Sequence, residues 1–408
     1  MSASGRASAL RGRTEPLGDA FDLLAAYDGG GAFFERGGLG VATSGSVVAT
    51  APPRAAAAML RDVDGAIRGG GQTAAVGALS FADAGDTASV AIAARTVRRS
   101  ATGETLLLEV GDPGGSVSGF DRSVGAEPHD PFTSAQLRER PPGDAYTAAV
   151  DELTRRIHAG SLRKVVLART IEVDAGRPLD PRRLAHRLRA VNPDAYTFAA
   201  STATGVIVGA SPELLVSRFG REVRSNPLAG SAARSGDPDE DRANADALLA
   251  SAKDHEEHAI VVDAIASTLE PFCRELSWDP EPVLLGTPNV WHLSTRFQGL
   301  LREPAPPVLE LVEALHPTPA VGGEPRDLAL SAIGELEPFA RGAYSGPVGW
   351  TDARGDGEWA IALRCAELRG DRAMLYAGAG IVSGSRPDAE LDETDRKFRA
   401  FLDALRWG

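Results

Sequence analysis

Short apolar runs broken by glycine, with helices placed irregularly among them, limit most strongly what this chain can fold into. Runs at 40–48, 71–81, 89–94 and 105–110 have the length and flanking turn residues of β-strands, and 54–67 has the pattern of a helix. Later segments also mix helices and strands, but without the regular alternation of a doubly wound sheet. We therefore expect an α+β fold in which helices pack on large antiparallel sheets.

The spacing of apolar residues divides the rest of the chain into further elements. Helices are predicted at 143–158, 181–191, 238–269, 306–315 and 325–336. Strands are predicted at 162–171, 197–209, 213–219, 284–298, 346–350, 359–368 and 373–379. Residues 1–17 are expected to be disordered, and 111–143, dense in Gly, Pro, Ser and Asp, to form a long surface connection.

Charge and cysteine content exclude several classes of protein. A net charge of −13 argues against a nucleic acid or an anionic membrane as partner, because both bind basic surfaces. An anionic substrate would therefore need a local cluster of cations. Cys273 and Cys365 stand far apart, and no run of about 18 apolar residues occurs. We expect a cytoplasmic protein without a membrane span.

The stretch 376–397 joins a glycine-rich turn to a helix that starts near Pro387. Glu390, Glu393 and Lys397 recur at spacings of three and four, so they share one helix face that continues into apolar positions. The simplest interpretation is a solvated helix start with one Glu–Lys pair. The alternative is a covered cleft in which a divalent cation compensates the carboxylates.

A second acidic cluster lies inside the long helix predicted at 238–269. Its apolar stripe, counted backwards, includes Glu257 and Asp254, so both carboxylates point along the core side. Together with Glu390 and Glu393 they supply four acids on two helices, a set of oxygen ligands that suits Mg²⁺. The histidines of the same segment, at 255 and 258, lack the ligand arrangement of a zinc or di-iron site.

Three charged residues interrupt apolar strands. Lys164 opens one strand, where it either reaches solvent or, if desolvated, becomes a general base. Glu213 stands between a turn and an apolar strand, where it is either a loop acid or, if buried, a proton donor with a raised pKa. Arg364 alternates with apolar neighbours and either faces a cavity or the outer surface. The turn at Gly378 to Gly380 lacks the context of a nucleotide-binding loop, but its backbone N–H groups could bind a carboxylate.

These segments together resemble the chorismate-utilising enzymes, in particular the isochorismate synthases of siderophore pathways. The matching segments are KVVLAR (164–169), GASPELL (209–215), PLAGSA (227–232), KDHEEH (253–258), WHL (291–293), LHPTPAVGGEP (315–325), ELEPFARGAYSGPVGW (335–350), IALRCAEL (361–368) and YAGAGIVSGS with ELDETDRK (376–397). The resemblance implies a single large domain over 18–408, with two large antiparallel sheets packed together and helices outside. Its strand-rich part, 18–140, carries no matching motif, and the catalytic motifs occupy 145–400.

The resemblance also implies the reaction and the roles of residues. Chorismate would be converted to isochorismate with Mg²⁺, Lys164 acting as the general base and Glu213 as the general acid. Glu257 and Glu393 would hold Mg²⁺, with Asp254 and Glu390 supporting. The implied substrate-binding residues are Gly230, Ser231, His292, Ala320, Tyr344, Arg364, Gly378, Gly380 and Lys397.

Single positions distinguish this chain from relatives that run other reactions. Ammonia-using members resemble one another in having glutamine at the position of Lys164, and aminodeoxychorismate synthases have lysine at that of Ala229. Salicylate and anthranilate synthases tend to have threonine at the position of Ala320, so alanine favours release of isochorismate. A salicylate synthase and a non-catalytic chorismate-binding protein stand as alternatives. Chorismate is the expected partner, and the protein is expected to be a monomer.

Overall fold

The computed structural model describes residues 11–18, 20–68, 73–82, 89–100, 102–111 and 136–406. Within these ranges the chain forms eight α-helices, numbered α1 to α8: Pro53–Ala66, Gly143–His158, Pro181–Val191, Pro238–Ala250, Ala252–Leu269, Val308–Leu315, Arg326–Leu336 and Pro387–Arg406. Two short 3-10 helices, Leu23–Ala26 and Glu270–Phe272, complete the helical part. No helix in the described part of the chain is long and apolar enough to cross a membrane.

The same ranges contain 23 strands, numbered in chain order. The first eight are Arg11–Leu17, Ala32–Arg36, Leu39–Ala51, Ile67–Arg68, Ala74–Ala78, Val90–Arg99, Thr105–Gly111 and Gln136–Arg140 (β1 to β8). The next six are Lys164–Asp174, Tyr196–Ser201, Val206–Ser211, Leu214–Phe219, Glu222–Asn226 and Leu228–Ala233 (β9 to β14). The last nine are Cys273–Trp278, Val283–Gly286, Val290–Ser294, Phe297–Leu301, Gly323–Glu324, Pro347–Asp352, Gly357–Ile361, Cys365–Arg369 and Arg372–Ile381 (β15 to β23).

The α+β class is confirmed, but the sheets are arranged differently from the prediction of two large ones. Twenty strands form one hydrogen-bonded network, and β14, β17 and β16 form a small second sheet. The network has two parts, β4-β1-β7-β6-β3-β2-β10-β11-β22-β23-β9 with β8 and β19 beyond β9, and β5-β20-β21-β12-β13-β18-β15. They join where Ala91 of β6 meets Val76 of β5. The long strand β6 follows β3 along its length and reaches β5 at one end, so the described strands link the two parts by this one ladder contact.

The two parts of the network also pack face to face. One buried cluster combines Phe34 and Phe198 of the first part with Val348 and Trp350 of the second. Apolar packing of this kind is the dominant favourable contribution to such a fold. The predicted packing of one layer of strands on another is therefore present, although the layers share a hydrogen-bonded connection.

Several predicted boundaries are wrong for identifiable reasons. The prediction of disorder fails for residues 11–17, because β1 pairs antiparallel with β7 and parallel with β4, while 1–10 lie outside the described residues. The polar sequence of β1 has no apolar alternation that could have revealed it. Part of the predicted surface connection at 111–143 is the exposed strand β8, and 112–135 are not described. The long helix at 238–269 breaks at Ser251, whose hydroxyl caps α5.

The arrangement that matters for function is the pairing of β9 with β23. These strands run antiparallel with Val165 opposite Ile381, and α8 follows β23 after five residues, so α8 packs back on both strands. Helix α5 packs on β14 of the small sheet. Lys164, the two acidic helix faces and the Gly230 segment are thereby brought to one place.

Candidate active site

A cavity opens where β9, β23, β14, α5 and α8 meet. Twelve of the fifteen candidate residues line it: Glu213, Gly230, Ser231, Glu257, His292, Ala320, Tyr344, Arg364, Gly378, Gly380, Glu393 and Lys397. The other three, Lys164, Asp254 and Glu390, are next to this wall without forming it. Residues scattered over more than 180 positions of the sequence therefore form one concave site.

Lys164 is buried at the start of β9, with its side chain 1% exposed. Its Nζ lies 3.0 Å from Oε1 of Glu257, a residue of α5 that lines the cavity. The interpretation of Lys164 as a strand-end lysine reaching solvent is therefore wrong. A buried cation of this kind needs a charged or hydrogen-bonding partner, and Glu257 is that partner here.

Gly378 and Gly380 lie inside β23 and not in a turn, which corrects the sequence-based prediction. Gly378 pairs with Ala168 and Gly380 with Val166 of β9. A Cβ atom at position 380 would collide with the carboxylate of Glu257 and lie 3.1 Å from Cε of Lys164. The glycines therefore make room for functional side chains on the neighbouring elements.

Glu213 lies between β11 and β12 and is 3% exposed. Burial raises the pKa of this carboxyl to about 8, although Lys164, a backbone N–H and more distant cations act to lower it. Desolvation dominates because the charged form loses its water and gains no ion-pair partner of its own. Glu213 is therefore mostly protonated at neutral pH and can donate a proton into the cavity.

The acidic face of α8 is covered and not solvated. Glu390 is 2% exposed and accepts a hydrogen bond of 2.9 Å from Nζ of Lys253 on α5. Burial, reinforced by the nearby Glu393, raises the pKa of Glu390. Nζ of Lys397 lies 2.5 Å from Glu393 and donates at 2.8 Å to the carbonyl of Gly378. Burial opposes ionisation of Glu393, but Lys397 outweighs it and holds the pKa of this carboxyl below its usual range.

The four acids do not converge as one set. Asp254 is bonded to the hydroxyl of Ser251, and burial raises its pKa. Gly230 approaches it so closely that a Cβ there would lie 3.0 Å from Cβ of Asp254; the φ of +76° at Gly230 also favours glycine. Among the described residues no three His, Cys, Asp or Glu side chains form a ready-made metal site. Of these four acids, Glu257 and Glu393 line the cavity.

His292 and Arg364 form a fixed pair on the cavity wall. Burial lowers the pKa of His292 to about 3, so the ring is neutral. Its Nδ1 lies 3.2 Å from the carbonyl of Gly230, which only accepts, so the proton is on Nδ1. Nε2 is then free to accept from Nη2 of Arg364 at 2.9 Å. Arg364 stands between β21 and β22 with a φ of +49°, where the predicted continuous strand 359–368 is interrupted.

Tyr376 was missed by the sequence analysis as a wall residue. Its ring stacks on Tyr344 at 4.8 Å between centroids with an interplanar angle of 11°. The signal was available, because Tyr376, Gly378 and Gly380 alternate along one strand and so share a face. The remaining wall residues without a sequence-based assignment to the site are Val166, Pro212, Leu228, Ala229, Val321, Ser345, Leu363 and Ala377. Most of these side chains are apolar, and nothing in their local pattern separates them from core residues.

The histidines of α5 contribute nothing to the cavity wall. Nε2 of His258 lies 2.7 Å from the hydroxyl of Thr295, and burial lowers the pKa of the ring to about 4. His255 contacts the carbonyl of Leu249 at 2.8 Å. Both rings therefore contact neighbouring protein groups and do not line the cavity.

Comparison with known proteins identifies the family. The family model described as chorismate binding enzyme matches residues 117–406. Isochorismate synthase DhbC of Bacillus subtilis is 48% identical over 276 residues, which cover 66% of this chain and 69% of that protein.

Two solved structures share the fold over nearly the whole chain. DhbC of Bacillus anthracis has a TM-score of 0.81 at 36% identity and covers 95% of this chain and 99% of its own. The menaquinone-specific isochorismate synthase MenF of Escherichia coli has a TM-score of 0.82 at 25% identity, covering 97% and 95%. The family match spans well over half of the sequence and includes every wall residue of the cavity. This chain therefore belongs to the family of chorismate-binding enzymes.

Proposed function

We propose that this protein is an isochorismate synthase, an enzyme that converts chorismate to isochorismate. A water oxygen bonds to C2 of the ring, the ring double bonds shift, and the C4 hydroxyl leaves as water. One group must take a proton from the attacking water, and another must give a proton to the departing hydroxyl. The buried, protonated Glu213 on the cavity wall, within the field of Lys164, supports this proposal most strongly.

The two proton-transfer roles follow from the state of each side chain. Glu213 holds a proton at neutral pH and gives it to the leaving C4 hydroxyl. Lys164 takes the proton of the attacking water as a neutral amine, so its ammonium group must first give up one proton, to Oε1 of Glu257 at 3.0 Å or to water. The two groups then return to their starting states by passing one proton back through water.

The substrate is a dianion, and the cavity offers cations to hold it. Arg364 and Lys397 both line the wall, and each is fixed by a second contact, Arg364 to His292 and Lys397 to the carbonyl of Gly378. We assign the enolpyruvyl carboxylate to Arg364, with Tyr344 and the backbone of Gly380 beside it. A net acidic protein can bind an anion in this way because the local field, not the net charge, acts on the ligand.

Mg²⁺ belongs to this proposal as the cofactor. Proteins commonly hold it through one or two carboxylates together with water and substrate oxygens, and Glu257 and Glu393 supply two carboxylates on the wall. When bound, the ion would neutralise these carboxylates and take up the ring carboxylate of chorismate beside Gly230 and Ser231. Asp254 and Glu390 lie behind these two carboxylates and do not line the cavity. Asp254 accepts a hydrogen bond from Ser251 and Glu390 accepts one from Lys253, so we assign both a supporting role.

The pathway is assigned from the relatives. DhbC of Bacillus anthracis, which is 36% identical and matches 95% of this chain, is described as 2,3-dihydroxybenzoate-specific. We therefore assign the product to 2,3-dihydroxybenzoate-type siderophore synthesis. Ala320 lines the cavity, so the residue associated by resemblance with the absence of pyruvate elimination lies at the site itself.

A product assay tests the function. Purified protein is incubated with chorismate and Mg²⁺, and the products are separated by chromatography. Isochorismate as the main product supports the proposal, and salicylate with pyruvate would replace it by a salicylate synthase. A chorismate-dependent rise in melting temperature without turnover would identify a binding protein, since a ligand stabilises the folded state that binds it.

A further inference from the structure

A buried ion pair beside the cavity has no role in the chemistry described so far. Glu337 directly follows α7, and Arg341 lies four residues further on; their side chains are 2% and 3% exposed. Nε and Nη2 of Arg341 donate to the two carboxylate oxygens of Glu337 at 2.8 and 2.5 Å. Burying both charges carries a desolvation cost that the pairing often fails to recover. Stability alone is therefore a weak reason for this pair.

The ion pair makes hydrogen bonds to the backbone of β9, the strand that begins with Lys164, on the edge that does not pair with β23. Strand β19 covers this edge at Lys164 and Val165, and β8 covers it from Thr170 to Asp174. Between them, Nη2 of Arg341 donates to the carbonyl of Val166 at 2.8 Å, and Glu337 accepts from the N–H of Ala168 at 2.8 Å. Two side chains thus take the place of a neighbouring strand over the gap.

The same guanidinium connects this edge to two other parts of the cavity wall. Nη1 of Arg341 donates at 2.7 Å to the carbonyl of Val321, which follows Ala320. The guanidinium also lies over the rings of Phe81, at 4.3 Å, and Tyr344, at 5.8 Å. Val166, Val321 and Tyr344 all line the cavity and come from distant parts of the sequence. The planar fork of arginine reaches two carbonyls and a carboxylate at once, which an ammonium cannot do.

We propose that Arg341 and Glu337 are positioning residues for the reaction, which set β9 and its Lys164 against the 316–325 loop and Tyr344. Neither residue touches the substrate. The planar shape of the Arg341 guanidinium matters as well as its charge, because different nitrogens donate to different segments of the cavity wall: Nη1 to Val321 and Nη2 to Val166. This inference rests on the proposed function, since it assigns these residues to the same turnover.

The test replaces the guanidinium of Arg341 by an ammonium group, which keeps the positive charge. Arg341→Lys retains a cation for Glu337 but cannot hold both carbonyls. We expect kcat to fall about 10- to 100-fold, as small misplacements of reacting groups do, with KM for chorismate changed less than about threefold. Arg98→Lys is the matched control. Arg98 is buried, pairs with Asp352 at 3.1 Å and lies over a Trp350 ring at 4.2 Å, and none of these three residues lines the cavity.

Both variants are measured for melting temperature, circular dichroism, kcat and KM. A lower melting temperature in both, with a loss of kcat in Arg341→Lys alone, supports positioning. Wild-type kcat in folded Arg341→Lys, or an equal loss in Arg98→Lys, overturns it. If Arg341→Lys does not fold, Glu337→Gln decides, because glutamine keeps an acceptor for Ala168. A kcat lowered at least about threefold at unchanged KM supports the inference, and wild-type kcat refutes it. If the wild-type protein itself shows no turnover, the proposed function fails instead.

Discussion

Replacing Glu213 by glutamine should have two opposite effects. It removes the proton donor and so lowers activity, and it removes a titrating buried carboxyl and so raises stability at alkaline pH. With a pKa of about 8, the carboxyl is about 90% protonated at pH 7, half protonated at pH 8 and about 1% protonated at pH 10. If only this form donates, kcat/KM of the wild type falls about tenfold per pH unit above pH 8. Glu213→Gln lowers kcat about 10²- to 10⁴-fold and abolishes this alkaline limb.

The same substitution should stabilise the protein relative to the wild type as pH rises. The folded protein binds the Glu213 proton more tightly than the unfolded chain, where the pKa is near 4.5. The wild type therefore loses stability as pH rises from about 4.5 to about 8, by up to about 5 kcal/mol, and the loss then levels off. Glutamine does not titrate. Between pH 6 and pH 9 the variant should gain about 3 kcal/mol relative to the wild type.

Urea unfolding of both proteins at pH 6, 7.5 and 9, beside initial rates over the same range, measures both effects. Circular dichroism follows the unfolding, and the slope of stability against denaturant must agree between the proteins for the comparison to hold. The reasoning is refuted if the stability difference does not change with pH, or if wild-type kcat/KM shows no alkaline decrease.

Three further predictions concern the neighbouring groups. Lys164→Ala lowers kcat about 10²- to 10⁴-fold in steady-state assays, and near-normal kcat would contradict its role as base. Gly380→Ala places a methyl group against Glu257 and Lys164, so we expect a lower kcat and a loss of about 1 to 3 kcal/mol of stability in thermal melts. Gly334→Ala, where no atom lies within 4 Å of the added methyl group, is the control and should change neither. Removal of Mg²⁺ by EDTA abolishes product formation, and Glu257→Gln or Glu393→Gln weakens Mg²⁺ binding in calorimetry without chorismate; unchanged affinity in both would refute their assignment as ligands.

The sequence predicted which residues gather at the cavity better than it predicted their local geometry. Lys164 and Glu213 were singled out because each is a charged residue beside an apolar strand, and the resemblance favoured a place at the site over exposure. Both side chains are buried. The glycines at 378 and 380 were misassigned to a turn, because composition alone cannot tell a glycine that bends the chain from one that makes room for a side chain. That distinction depends on Glu257, which is more than a hundred residues away.

The supporting contacts could not be predicted at all. Lys253 lies beside Asp254 in the sequence, but its contact with Glu390 depends on how α5 meets α8. Arg341 similarly has carbonyl partners at positions 166 and 321, and nothing in its own segment indicates them. β1 was overlooked because backbone groups make its pairing with β7, so its side chains carry no signal of the strand.

The antiparallel pairing of β9 with β23 also has a consequence for folding. Val165 and Ile381 are neighbours in the sheet although more than two hundred residues separate them in the chain. Closing a loop of this length costs entropy before any contact is gained, and topologies dominated by such contacts fold slowly. Until β23 docks on β9, Glu393 and Lys397 are not delivered to Lys164. We therefore expect catalytic competence to be acquired late in folding, after the local helices and hairpins.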